Sequence, residues 1–137
     1  MANELLLDTG GLVSILDRDQ TRHQEFVDFY RGWHGKVLST EAVLTESIHL
    51  LGRVHGGAQA CLDFFLQGGA VLIPADLSAL QRGRDLMVKY ADLPMDYADS
   101  TLVTLAEAVG SCLVLTTDRR DFGIYRTRSG HSFEVFP

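Results

Sequence analysis

The sequence predicts an α/β fold, a mainly parallel sheet carrying helices on its faces, and three observations predict it. Short apolar or β-branched runs recur along the chain, segments with helical spacing lie between them, and the two kinds largely alternate. Alternation of this kind joins parallel strands through helical crossovers.

The strands expected in order are Leu5 to Leu7, Lys36 to Ser39, Ala70 to Ile73, Cys112 to Thr116 and Phe133 to Phe136. The helices expected between them are Leu12 to Leu16, Thr21 to Gly32, Glu41 to Val54, Ala58 to Gln67, Leu77 to Tyr90 and Tyr97 to Val109. Pro74 falls where a strand ends and Pro94 where a helix should soon begin, while glycine pairs at 56–57 and 68–69 punctuate the middle. In an open sheet of this sort, ligands bind beyond the carboxyl ends of the strands.

With 137 residues, 46% of them hydrophobic, the chain has room for one compact core, and residues 1–137 read as a single domain. The opening Met1-Ala2-Asn3-Glu4 leads to an apolar run of only Leu5 to Leu7, without the basic start or long apolar stretch of a secretory leader. Later runs are too short for a membrane span, so a soluble, cytoplasmic protein is expected. Cys61 and Cys112 are far apart and lack zinc or redox spacing, which reads them as buried thiols. The five histidines are scattered without ligand spacing. A formal charge of −6 argues against a general nucleic-acid coat, so any RNA contact must be local. The same acidity suits a basic partner segment.

The chemistry lies in the acids. Asp8 directly follows the first strand run, and Asp118 follows Leu113 to Thr117 in the same manner. Each alone reads equally as a helix cap or turn residue, but two such strand-end acids coincide. Asp99 shares a helix face with Leu102, Val103, Ala106 and Val109, so its carboxylate points along the buried side. Asp96 reads as the N-cap of that helix. Glu46 lies at the edge of an apolar side made by Val43, Leu44, Ser47, Ile48, Leu50, Leu51 and Val54, whereas Glu41 faces outward in the first turn. Were Asp8, Glu46, Asp99 and Asp118 to converge, their mutual repulsion would call for a hard, oxygen-loving cation such as Mg²⁺ or Mn²⁺. One or two such ions could activate water and polarise a phosphodiester.

These residues resemble a PIN domain of the VapC-type toxin family. The resemblance is carried by Leu6-Leu7-Asp8-Thr9, Val43-Leu44-Thr45-Glu46, Ala98-Asp99-Ser100 and Thr116-Thr117-Asp118-Arg119-Arg120-Asp121-Phe122, in the family's order and across nearly the whole chain. It implies a three-layer α/β/α domain around a five-stranded, mainly parallel sheet, metal-dependent endoribonuclease activity, frequent homodimers and inhibition by a small antitoxin partner. Catalytic, metal-binding roles fall on Asp8, Glu46, Asp99 and Asp118, an additional acid on Asp121, and a supporting hydroxyl on Thr116. Two positions depart from the family's pattern: Asp96 adds a further acid beside Asp99, so that either could be the inner ligand, and Ser100-Thr101 is more polar than usual.

Arg119, Arg120, Arg126 and Arg128 gather near Asp118, where Arg119 and Arg120 could position RNA phosphate or simply balance the acids. Tyr125 and Trp33 read as packing rather than base-stacking residues. A haloacid-dehalogenase-type phosphatase needs a second aspartate where Gly10 stands. A receiver domain needs paired acids and a late lysine that this chain lacks. The remaining alternative is a noncatalytic PIN-like module that binds RNA or protein.

Overall fold

The computed structural model describes residues 4–137; Met1 to Asn3, part of the opening read above for a leader, lie outside the described residues. Its strands are β1 (Leu5–Leu7), β2 (Val37–Thr40), β3 (Val71–Ile73), β4 (Leu113–Leu115) and β5 (Glu134–Phe136). The helices are α1 (Thr9–Leu16), α2 (His23–Gly32), α3 (Glu41–Leu50), α4 (Gly57–Leu66), α5 (Leu77–Lys89), α6 (Tyr97–Val109) and α7 (Arg119–Phe122).

The strands form one sheet in the order β3-β2-β1-β4-β5, and every neighbouring pair is parallel. Such a sheet needs cover on both faces, which explains why Leu5, Leu6 and Leu7 are all fully buried. Alternate side chains point to opposite faces. Leu6 therefore packs with Leu38, Val114 and the α6 residues Leu102 and Val103, while Leu5 and Leu7 pack with Leu12, Phe26 and Leu115. Burying each leucine contributes roughly 2 kcal/mol, and the two cores make three layers, helix on sheet on helix.

Chain order reverses at β1, which has β2 on one side and β4 on the other. At that switch point the loops after β1 and β4 diverge and leave a crevice beyond the strand ends. Asp8 and Asp118 follow these two strands.

The boundaries differ from expectation in places. Helix α3 stops at Leu50 rather than Val54, and a turn through Gly56, whose φ of 72° suits glycine, leads into α4. Leu50, the last residue of α3, and Val54, in the turn, were expected on the buried side and are 55% and 42% exposed. Helix α1 begins at Thr9, three residues early, and α2 begins at His23, two residues late. Residues 119–122 form α7, a single turn absent from the helices that the sequence predicts. Cys61 is buried as expected, but Cys112 is only half-buried, and both thiols are free. Among the described residues no helix is long and apolar enough to cross a membrane.

Candidate metal centre

Three helices begin at the crevice with an aspartate in the N-cap position: Asp8 for α1, Asp96 for α6 and Asp118 for α7. Asp96 and Asp118 do the capping work, accepting the backbone N–H of Asp99 at 2.8 Å and of Asp121 at 3.0 Å. Such caps contribute about 1 kcal/mol each. Asp8 makes no cap hydrogen bond. Its Oδ2 instead accepts the Thr116 hydroxyl at 2.6 Å, and the Thr116 oxygen in turn accepts the Asp118 N–H at 3.0 Å. One hydroxyl thus ties the acid after β1 to the loop after β4.

The Gly10-Gly11 pair permits this closeness. A Cβ on Gly10 would lie 2.2 Å from Thr117 Oγ1, and one on Gly11 2.4 Å from the Leu115 carbonyl oxygen. Any side chain there would push α1, and Asp8 with it, off the β4 loop.

Asp99, Asp118 and Asp121 each place a carboxylate oxygen within 4.8 Å of the others. Asp121, read from the sequence as an additional acid, is thus in the tight group, because the single turn of α7 folds it back beside Asp118. Asp8 and Glu46 do not complete that group. Asp8 is near enough for its charge to be felt by Asp99, and Glu46 acts on Asp8 in the same way. Glu46 is half-buried on α3, and Asp96 is exposed at the crevice mouth, where its charge reaches Asp8, Asp99 and Asp121.

The electrostatics follow from this crowding. Burial pushes the Asp8 carboxyl up to about 6 against the opposing Thr116 hydroxyl and the nearby Thr9 backbone N–H, and the charges of Glu46 and Asp96 add to the rise. Burial, then the Asp8 charge, pushes Asp99 up to about 8, although the Tyr125 hydroxyl opposes the shift. Burial, then Asp118, raises Asp121. Asp8 Oδ1 is buried without a hydrogen-bond partner, and so is the neighbouring Thr9 Oγ1. A buried carboxylate oxygen with no donor is costly unless something else fills the role. Convergent carboxylates with neither histidine nor cysteine among them match the ligand chemistry of a hard divalent ion.

Two of the four nearby arginines, Arg119 and Arg126, have their guanidinium engaged elsewhere. Arg119 donates to the Pro137 carbonyl, Arg126 to the carbonyls of Gly123 and Tyr125, and the Arg128 backbone N–H to Glu107. Arg120 is exposed, and its charge reaches Asp121. Trp33 packs against Phe29 and Phe136, as its reading as a packing residue expects. Tyr125 is fully buried and donates to Asp99 Oδ2 at 2.7 Å. That contact was not foreseen, because nothing in residue spacing brings position 125 to position 99.

A groove of about 910 Å³ opens from Glu46 and Asp96 and continues between α3, α5 and α6, along Ile73, Ala79, Tyr97 and Leu105. Among the described residues no lysine or arginine lines it.

No protein-family model matches the chain. It is 26% identical over 135 residues to Ribonuclease VapC26 of Mycobacterium tuberculosis, an alignment covering 97% of this chain and all of that protein. Its fold is similar to the crystal structure of VapC20 of Mycobacterium tuberculosis, a sarcin-ricin loop cleaving toxin, with a TM-score of 0.73, 15% identity and coverage of 85% and 91% of the two chains. It is also similar to a toxin-antitoxin complex from Klebsiella pneumoniae, with a TM-score of 0.65, 16% identity and coverage of 88% and 91%. VapBC2 of Rickettsia felis bound to a DNA fragment from its promoter gives a TM-score of 0.64 at 13% identity, covering 96% of each chain.

Proposed function

We propose that this chain, which shares the fold of the VapC-type PIN-domain toxins, is a single-domain, divalent-metal-dependent endoribonuclease and the toxin of a toxin-antitoxin pair. The family likeness read from the sequence is borne out along 97% of the chain and through its five-stranded parallel sheet. One observation carries the functional reading: three carboxylates lie within 4.8 Å of one another at the sheet's switch point, beside a buried Asp8 oxygen that no donor satisfies.

In this reading Asp8, Glu46, Asp99 and Asp118 hold one or two Mg²⁺ or Mn²⁺ ions, with Asp121 as the additional acid and Asp96 chiefly as the cap of α6. When bound, the ion supplies Lewis-acid polarisation of the phosphodiester and acidifies water. The protein's own part is placement. Thr116 fixes Asp8 by its hydroxyl, α7 turns Asp121 back toward Asp118, and the N-termini of α1 and α6 direct their positive dipole ends at the negative site. Arg120, outside the acids and free of the chain-end contact that holds Arg119, is the better placed of the two for an RNA phosphate.

The antitoxin reading draws on the groove beside the acids. Its walls are mainly apolar with threonines among them, no lysine or arginine of the described residues lines it, and it carries the acids Glu41, Glu46, Asp76 and Asp96. Such a surface repels a polyphosphate chain and suits an apolar peptide with a basic residue at the acidic end. We place the protein in the cytoplasm as a homodimer bound to that partner.

Incubation of total cellular RNA with the purified protein in Mg²⁺, Mn²⁺ or EDTA, followed by mapping of the new ends, tests the proposal. Discrete cleavage in either metal and none in EDTA is expected. Cleavage that persists in EDTA, or none in any condition with a protein that binds no divalent ion, overturns it.

A further inference from the structure

A buried tyrosine must place its hydroxyl on a partner. For Tyr125 a backbone carbonyl would satisfy that need without functional consequence. The partner is instead Asp99 Oδ2, 26 positions away in sequence and a member of the tight carboxylate group.

The ring is held independently of this bond. Tyr90 and Phe122 meet it edge to face at centroid distances of 5.1 and 5.2 Å. The Arg126 backbone N–H donates to the Tyr90 hydroxyl at 2.9 Å, and its guanidinium donates to the Tyr125 carbonyl at 2.7 Å. The Tyr125 N–H in turn donates to the Asp121 carbonyl at 3.0 Å, so the backbone is fastened on both sides of the residue and the hydroxyl is aimed by its surroundings.

The arrangement repeats one already described. Thr116 takes one oxygen of Asp8, and Tyr125 takes one oxygen of Asp99, so each buried carboxylate has a single hydroxyl fixing its rotation. A phenol is the right donor for such work: it orders a carboxylate without bringing a positive charge that would compete with a cation.

We infer that Tyr125 is a positioning residue of the metal centre, holding Asp99 by one oxygen so that the other is presented to the ion. The inference rests on the metal-dependent reading above and extends it to a residue outside the acids.

Tyr125→Phe keeps the aromatic packing and removes only the hydroxyl. Calorimetric titration with Mn²⁺ should show affinity lowered about tenfold, the size of effect that outer partners of metal ligands produce. The rate of RNA cleavage at saturating substrate should fall while KM for RNA stays near the parent value. Mn²⁺ affinity within about twofold of the parent overturns the inference while leaving the metal-dependent reading intact. A second measurement needs no variant. The Tyr125 hydroxyl proton, shielded by burial, should shift in the NMR spectrum of the parent protein when saturating Mg²⁺ is added, and an unmoved resonance overturns the inference even if Tyr125→Phe fails to fold. A parent protein that binds neither ion overturns this inference together with the reading beneath it.

Discussion

Glu107 and Asp99 stand about two turns apart on the same helix, α6, and their surroundings treat them in opposite ways. Glu107 receives a bidentate clasp from Arg82 at 2.8 and 2.7 Å and a further bond from the Arg128 N–H at 2.6 Å. Burial alone would raise its carboxyl, yet those partners hold it below the usual range. Asp99 is also buried, but the charges nearest it belong to Asp8, Asp96 and Asp118. One end of the helix carries its own counter-ion, and the other gathers like charges without one. The difference teaches that the fold can neutralise a buried acid where it needs to, so its failure to do so at the crevice points to a cation from outside.

Breaking each end in turn gives the largest expected effect. Asp8→Asn, Glu46→Gln, Asp99→Asn and Asp118→Asn should each lower RNA cleavage at least about tenfold, equivalent to about 1.4 kcal/mol of barrier. Their fold should survive, because relief of repulsion offsets lost contacts. Glu107→Gln should do the reverse: it leaves Arg82 without its partner and removes about 1–2 kcal/mol of stability after allowance for partial exposure, with cleavage unchanged. Cleavage assays beside chemical denaturation in chelator check both halves, and full activity in two of the four site variants would sink the assignment.

Titration sharpens the comparison with a smaller effect. The folded-state values of Asp8 and Asp99, about 6 and about 8, stand above the ordinary 3.8, so the folded protein holds these protons more tightly than the unfolded chain. Stability from the two groups is therefore full below about pH 4 and is lost as pH rises through 6 and then 8. Within that window each group removes up to about 1.4 kcal/mol per pH unit. Thermal melts in chelator should decline from pH 5 to pH 8, and saturating Mg²⁺ or Mn²⁺ should remove most of the decline. Asp99→Asn should flatten its upper half. The lowered Glu107 carboxyl works with the opposite sign, contributing stability above the ordinary glutamate value that is lost on acidification.

Much of this was legible in the residues, and the limits have physical causes. Leu5 to Leu7 followed by Asp8, and Leu113 to Leu115 leading to Asp118, announce strand ends because continuous apolar runs suit a parallel sheet covered on both faces. Asp99 was placed on the buried side by the helical period of Leu102, Val103 and Ala106, all of which are buried. Period gives direction but not termination, so it carries the buried stripe on to Val54 across a turn at Leu51 to Gly56 that interrupts it. Helix α7 is too short to show a period; its only local signal is the Asp118 cap three residues ahead of Asp121. The Tyr125–Asp99 bond depends on how a loop folds over the end of a helix, which no local rule specifies.

The smallest expected effect separates two adjacent arginines. Arg119 is drawn to the chain end, where it shares the Pro137 carbonyl with Arg22, whereas Arg120 is exposed and close enough for its charge to lower the Asp121 carboxyl. If the acids hold the ion and Arg120 meets a neighbouring phosphate, Arg120→Ala should weaken RNA binding and lessen its dependence on salt by roughly 0.7 in the slope of log affinity against log salt, the share of one single-strand contact. Arg119→Ala should leave that slope unchanged. Binding of a noncleavable RNA across a salt series measures both, and equal slopes for the two variants would return Arg120 to a plain charge-balancing role beside Asp121.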